Sequence, residues 1–300
     1  MNLLKQFDGE IEQSGKVLLY DAHVGIGDLL WRTCLFKELK RRNPNMKLYV
    51  SSMGNYWKLM LQNNPYVDKL VDRIGNPPYT SGVDYYVSDR LCPHVISDYA
   101  RNMDSLDALE IWAGFEIRDK SYVYGVTQEE SIWADKFLEK FPRPIIGIQL
   151  KASSWVRNPV PEEILRLIRM LRYNEFTVIV FDNHQFGYKD EGIINLAGNS
   201  GIREVAAIIS KVDLNICPDS GLFHFSCLFR KHTIAIFGGS SPQCRTKYYT
   251  TVYPICAGKS VCELWPCWAH SYYCPKNINP APCMQAIKAE DIFEIVRQIL

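Results

Sequence analysis

The chain has 300 residues, 47% of them hydrophobic and 22% charged, a composition that suits a soluble globular protein of two ordinary domains. Its 34 Lys and Arg stand against 33 Asp and Glu, so it has no global basic field to attract nucleic acid. The opening stretch MNLLKQFDGEIEQSG lacks the apolar core of a signal peptide, and no uncharged apolar run reaches the roughly 18 residues that span a bilayer. A cytoplasmic location is the resulting expectation, with peripheral membrane contact left open.

The first half opens with Lys16–Tyr20, KVLLY, an apolar run that predicts a buried strand. Gly25 and Gly27 predict a tight turn, and Asp28 stands where a helix begins. Leu29, Leu30, Trp31, Leu35, Phe36 and Leu39 form the apolar side of that helix, and Lys37, Lys40, Arg41 and Arg42 its basic end. Pro44 stops it, and Met46–Val50 is the next strand. This βαβ opening predicts a Rossmann-type sheet. It does not fit a dinucleotide cofactor. Leu30 holds the third glycine position of G-x-G-x-x-G, and Ser51-Ser52-Met53 follows the second strand where an acidic residue belongs. Asp28 has two readings: a plain helix N-cap, or a carboxylate that faces a site.

Val83–Val87 reads as another strand. Arg90, His94 and Arg101 are the notable polar groups behind it. Ser121–Gly125 predicts the last strand of this half, and Phe141-Pro142-Arg143-Pro144 is the clearest linker signal. The alternation then restarts. Ile145–Leu150 is a strand, Lys151–Pro159 a loop, and Pro161 opens a helix to about Leu171. Phe176–Phe181 and Ile193–Leu196 are strands, and a helix runs from about Ile202 to Ser210.

Leu214–Cys217 predicts a short buried strand, Pro218 and Gly221 a turn, and Leu222–Leu228 a buried helix. Ile234–Phe237 is a second strand, ended by Gly238-Gly239. A helix that starts at Asp219-Ser220-Gly221 points free backbone N–H groups and a positive dipole end beyond the sheet, which suits a phosphate. Ser220 adds a hydroxyl, Gly221 allows close approach, and His224 lies near the same helix end. Asp219 cannot welcome a phosphate and is read as capping the helix or fixing the loop.

Six of the ten cysteines lie beyond residue 240: Cys244, Cys256, Cys262, Cys267, Cys274 and Cys283. In a cytosolic protein such clustering favours metal over disulfide, although the spacing lacks the C-x2-C pairs of common zinc sites. Cys262, Cys267, Cys274 and Cys283 are the candidate ligands of one structural iron or zinc ion, with His270 as a fifth candidate. Buried free thiols or a mobile tail are the other reading. Ala289–Leu300 is a final amphipathic helix.

The wording Asp219-Ser220-Gly221-x-x-His224, followed by an apolar strand and Phe237-Gly238, resembles the nucleotide-sugar site of the bacterial heptosyltransferases, glycosyltransferase family 9. Gly25-Ile26-Gly27-Asp28 resembles the family's small-x-Gly-Asp turn, and Asn64-Pro65-Tyr66-Val67-Asp68 also matches. Gly198, Ile202 and Glu204 match a helix start that in the family lies near the base of the nucleotide. Ser153 and Ser154 stand for its small-hydroxyl turn, and Arg157, with Lys151 as second candidate, for the cation that steadies a departing diphosphate. Strict alignment would put Asn158 in that place.

The resemblance implies an α/β protein of GT-B fold, with two Rossmann-like domains facing across a cleft. Residues 1–142 would hold the acceptor and 143–285 the nucleotide sugar, with a Cys-rich segment at 256–283. A final helix, 286–300, would pack back on the first domain. It implies an ADP-heptose-like donor, an acceptor hydroxyl on a glycan, lipopolysaccharide or protein, and an inverting displacement that needs no catalytic metal. Asp28 would be the base. Asp219, Ser220, Gly221 and His224 would serve the donor, and Gly27, Arg90 and His94 the acceptor. A branch of the family that modifies autotransporter proteins binds iron through four cysteines, which the tail here resembles with different spacing. Formation of a homo-oligomer is left open. Rival readings are a non-catalytic nucleotide-sugar module, an epimerase of the same fold, and a structural subunit that assembles through the cysteine tail.

Overall fold

The computed structural model describes residues 16–22, 25–52, 56–72, 83–88, 103–185, 187, 192–267 and 274–300. Arg90, His94, Arg101 and His270 lie outside them. The chain divides into two compact units, 1–125 and 126–300. Among the described residues no helix is long and apolar enough to cross a membrane.

The first unit carries a parallel sheet of β1 (Val17–Ala22), β2 (Lys47–Ser52), β3 (Lys69–Leu70) and β4 (Tyr85–Ser88), in the order β3-β2-β1-β4. Leu18, Leu19 and Tyr20 of β1 are buried because a central parallel strand is covered on both faces. Helix α1 (Ile26–Arg42) follows β1 directly and buries Leu29, Leu30, Trp31, Leu35, Phe36 and Leu39. Its basic end is anchored: Lys40 Nζ lies 2.7 Å from Asp68 Oδ2, and Asp68 also accepts from Leu48 N at 2.7 Å. Asn64 Oδ1 accepts from Tyr66 N at 3.0 Å, so Asn64 and Asp68 brace the turn and the strand. Two more helices, α2 (Trp57–Leu61) and α3 (Ser105–Ala113), complete the described part.

The predicted strand at Ser121–Gly125 does not form. Its backbone is taken by side chains instead. Val123 N donates to Thr33 Oγ1 at 2.7 Å, Ser121 O accepts from Lys37 Nζ at 3.1 Å, and Val123 O accepts from Asn64 Nδ2 at 3.4 Å. An apolar pentapeptide reads the same whether a ladder or a helix surface satisfies it.

The second unit holds six parallel strands: β5 (Ile145–Gln149), β6 (Thr177–Phe181), β7 (Ile193–Asn195), β8 (Leu214–Pro218), β9 (His232–Phe237) and β10 (Val252–Cys256). Their order is β10-β9-β8-β5-β6-β7. The chain moves outward from β5 to β7, then returns to the other side of β5 and moves outward again. The switch point therefore lies between β5 and β8. In the first unit the same logic puts it between β1 and β4. Open α/β sheets bind ligands beyond the carboxyl ends of the strands at such points. Strand β10 escapes the sequence reading because it is an edge strand, only partly buried, with Pro254 inside it.

Helix α4 (Gln128–Leu138) belongs to this unit, although it precedes the Pro142-Arg143-Pro144 signal that marked a boundary. Thr127 and Glu130 form a capping box. Glu130 Oε2 also accepts from Arg203 Nη2 at 2.7 Å, which ties α4 to α6 (Ile202–Ile209). The helix between them in sequence is α5 (Pro161–Tyr173). Helices α7 (Gly221–Leu228), α8 (Gln243–Thr246) and α9 (Pro282–Gln285) lead to α10 (Ala289–Ile299). Ile292 and Val296 of this last helix join Leu167 and Leu171 of α5 in the core of the second unit. Glu163 Oε2 accepts from Ala289 N at 3.0 Å.

Glu130 serves both the cap and the Arg203 pair. Glu130→Ala is expected to cost about 1–2 kcal/mol of stability, seen as a lower urea midpoint for the full chain. An unchanged midpoint would show that α4 is only loosely attached.

Candidate active site

Strands β5 and β8 run side by side, with Ile148 paired to Ile216. They end at Gln149 and Pro218. The Ser220 hydroxyl donates to Gln149 Oε1 in a short hydrogen bond, and Gln149 Nε2 donates to Lys151 O at 2.7 Å. Gln149 thus ties the loops after β5 and β8 across the switch point. Ser220 occupies the N-cap position of α7, yet its side chain makes no capping bond. The first-turn N–H groups of that helix keep their positive end for something beyond the sheet. Gly221 opens the helix with no side chain in the way.

Asp219 is 3% exposed. Ser240 Oγ donates to its Oδ2 at 3.2 Å, Arg157 Nη1 lies 3.8 Å from Oδ2, and Arg245 Nε lies 3.8 Å from Oδ1. Burial by itself would raise this carboxyl. The Arg245 and Arg157 guanidiniums, then His224 and the Ser240 hydroxyl, outweigh it and hold Asp219 below the ordinary carboxylate range. The reading of Asp219 as a helix cap is therefore replaced, since Ser220 has that position. Asp219 is the counter-charge of two arginines, and the three leave one positive charge in excess beside the α7 terminus.

Arg157 ends a 3-10 turn, Trp155–Arg157. It donates to Asp219 O at 2.7 Å and to Ser153 Oγ at 3.3 Å. Asn158, the strict alignment position, is used elsewhere, since its Oδ1 accepts from Ala152 N at 2.7 Å and closes the loop. Arg157 is thus the cation at this point. Lys151 is exposed, and only its carbonyl is held by Gln149. Ser154 is buried, and its Oγ has no hydrogen-bond partner among the described residues. His224 is buried with its ring edge-on to Phe223. Glu204 accepts from Gly201 N at 2.7 Å, so its carboxylate closes the start of α6, where Ile202 is half-buried.

Gln149, Ser240 and Arg245 were not singled out in the sequence. Gln149 had a usable signal, a polar residue that ends an otherwise apolar strand. Arg245 sits in a four-residue helix with no motif around it, and only the fold brings it to Asp219.

In the first unit, Gly25 is the N-cap of α1 and Asp28 is the third residue of the helix. The plain N-cap reading of Asp28 is thereby set aside. Its Oδ1 accepts from Trp31 Nε1 at 3.1 Å, and its carbonyl accepts from Arg32 Nη1 at 3.0 Å. Both Gly27 and Asp28 are half-buried in the first turn.

The described cysteines of the tail form no disulfide among themselves. Cys274 and Cys283 are buried, and Cys262 and Cys267 half-buried. Burial first, then neighbouring Cys267, Cys274 and Cys256, push the Cys283 thiol up to about 11. The neighbour set thus contains Cys256, which spacing did not suggest. Among the described residues no three or more His, Cys, Asp or Glu side chains are placed to hold a metal ion. Residues of the tail brace the site: Trp265 Nε1 donates to Gly238 O at 3.0 Å, and Cys267 Sγ lies 3.8 Å from Gly239 O.

The second unit sets an uncapped helix start beside its switch point, and the first unit carries the Asp28 carboxylate in the first turn of α1. Residues 93–263 match the model of glycosyltransferase family 9 (heptosyltransferase). The chain belongs to this family and is a glycosyltransferase. No curated relative matches it in sequence. Among solved structures, it is similar to the family 9 glycosyl transferase of Veillonella parvula, at 14% identity over 97% of this chain and 99% of that one, with a TM-score of 0.69. It is also similar to the ADP-heptose LPS heptosyltransferase II of E. coli, at 15% identity over 95% and 98%, with a TM-score of 0.67. A third likeness is to the iron-containing dodecameric glycosyltransferase TibC of enterotoxigenic E. coli H10407, at 15% identity over 96% and 77%, with a TM-score of 0.68. TibC has also been solved in complex with ADP-D-β-D-heptose. The shared fold is GT-B.

Because the folded-state carboxyl of Asp219 is depressed, its contribution to stability is present at neutral pH and is lost as pH falls through that lowered value. Asp219→Asn is expected to cost about 3–5 kcal/mol at neutral pH, since two cations lose their counter-charge, and the deficit should shrink in acid. Urea unfolding at both conditions checks this, and equal stability of variant and parent at neutral pH would contradict it. Cys283 is expected to resist alkylation by iodoacetamide in the folded protein near neutral pH, read by peptide mass spectrometry.

Proposed function

We propose that this glycosyltransferase moves a heptose from an ADP-heptose-like donor to a hydroxyl on a glycan, lipopolysaccharide or protein. The donor diphosphate lies against the start of α7, where Ser220 and Gly221 meet it. Arg157 and the dipole of the helix balance the charge that builds on the leaving group. This stabilisation is built from protein groups and calls for no catalytic metal. Asp28 takes the proton from the acceptor hydroxyl, so that oxygen attacks the anomeric carbon as the bond to the diphosphate breaks. The configuration at that carbon inverts. Glu204 acts as a helix cap rather than a donor contact in this reading, and Lys151 is an accessory cation. Arg90 and His94 stay candidates for the acceptor.

The observation that carries the reading is the Ser220–Gln149–Asp219–Arg157 constellation at the switch point of the second sheet. It sets an uncapped helix start and an excess positive charge side by side, which is what a diphosphate needs. The likeness to TibC, solved with ADP-D-β-D-heptose, supports the choice of donor.

Two variants test it. Ser220→Asp sets a carboxylate against the phosphate, and calorimetry is expected to find ADP binding abolished. Undiminished binding would remove the donor site from this helix. Asp28→Asn keeps size and polarity, and transfer should fall about 10²–10⁴-fold while ADP affinity stays near the parent's. The assay follows labelled heptose from ADP-heptose into an extract of a bacterium unable to make ADP-heptose. Turnover within a few-fold of the parent would move the base elsewhere.

A further inference from the structure

The bond between Trp31 and Asp28 has a role beyond packing. An unrestrained aspartate carboxylate turns broadly about its last torsion, so neither oxygen is fixed in direction. Here the indole of Trp31, three residues on and on the same face of α1, donates to Oδ1 at 3.1 Å. Trp31 is itself buried. It is 2% exposed, and the Arg32 guanidinium lies 4.3 Å from its ring centroid while Nη1 of the same side chain holds Asp28 O at 3.0 Å. Residues 31 and 32 therefore grip both the side chain and the carbonyl of Asp28. With Oδ1 engaged, Oδ2 is turned to the glycine turn. A Cβ placed on Gly25 would stand 4.0 Å from it.

We infer that Trp31 is a positioning residue for the base: its indole N–H orients the Asp28 carboxylate so that Oδ2 accepts the proton of the attacking hydroxyl. This rests on the reading of Asp28 as that base. The opposite view is that Asp28 only satisfies a buried indole. The two views differ in what the loss of one N–H does to turnover.

The full chain is prepared with Trp31→Phe and, separately, with benzothienylalanine at position 31, which keeps the indole shape and replaces N–H by sulfur. Heptose transfer into the same extract is measured at varied ADP-heptose. In both variants kcat is expected to fall about 10–100-fold, the cost of a reacting group held out of line, while the donor KM changes by less than about two-fold. The same substitutions placed on Asp28→Asn should cost almost nothing more, because the two residues act as one unit. Independently of activity, the Trp31 indole ¹⁵N–¹H resonance, assigned by its loss in Trp31→Phe, should move upfield in Asp28→Asn. Parent-like kcat in the benzothienylalanine protein, with Asp28→Asn inactive, overturns the inference and leaves the base in place. Losses that simply add in the double variants, or an indole resonance indifferent to Asp28, overturn it as well. Parent-like turnover of Asp28→Asn instead overturns the base assignment, and this inference with it.

Discussion

The candidate site of the second unit depends on keeping one buried carboxylate charged. Asp219 is out of water, and an isolated charge there would be costly. Arg245 from one side, Arg157 from another and the Ser240 hydroxyl relieve that cost. In doing so they join three segments distant in sequence: the loop after β5, the loop after β8, and the segment after β9. The cluster gives the loop before α7 its shape, and with it the place of Ser220 and Gly221.

A second constraint comes from the order of the strands. Because β5 lies between β6 and β8, the loops that leave β5 and β8 depart to opposite sides and open a space at the strand ends. Gln149 bridges that space with both ends of its amide. The helix dipole of α7 then points where no capping side chain spends it. Family membership and fold agree with this arrangement, while the proposed base belongs to the first unit.

The cysteine tail contributes differently from its composition. Clustered cysteines suggest a metal, yet among the described residues no group of three or more His, Cys, Asp or Glu is placed to hold one. What the tail does do is press on the glycines after β9. A Cβ on Gly239 would come within 2.6 Å of Cys267 Sγ, and one on Gly238 within 2.8 Å of the Met284 sulfur. Gly238 and Gly239 are glycine because the tail packs against their backbone, next to the Ser240 that serves Asp219.

Apolar runs and turn residues in the sequence determined most of the strands and helices, because the period and punctuation of buried segments are local properties. They also singled out two stretches as candidates for a site, Gly25–Asp28 and Asp219–His224. Only tertiary structure decided how those residues are used. Asp28 lies inside the helix and meets Trp31 rather than capping, and Asp219 faces two arginines rather than its own helix. Glu204 is spent on a cap, and Arg245 reaches the site from a segment with no motif. The last helix joins the second unit because its Ile292 and Val296 fit against α5, a match between distant faces that neither face shows alone. Ser121–Gly125 stays irregular because its hydrogen bonds are met by Thr33, Lys37 and Asn64. In each case the deciding partner is far along the chain, and a local pattern carries no record of it.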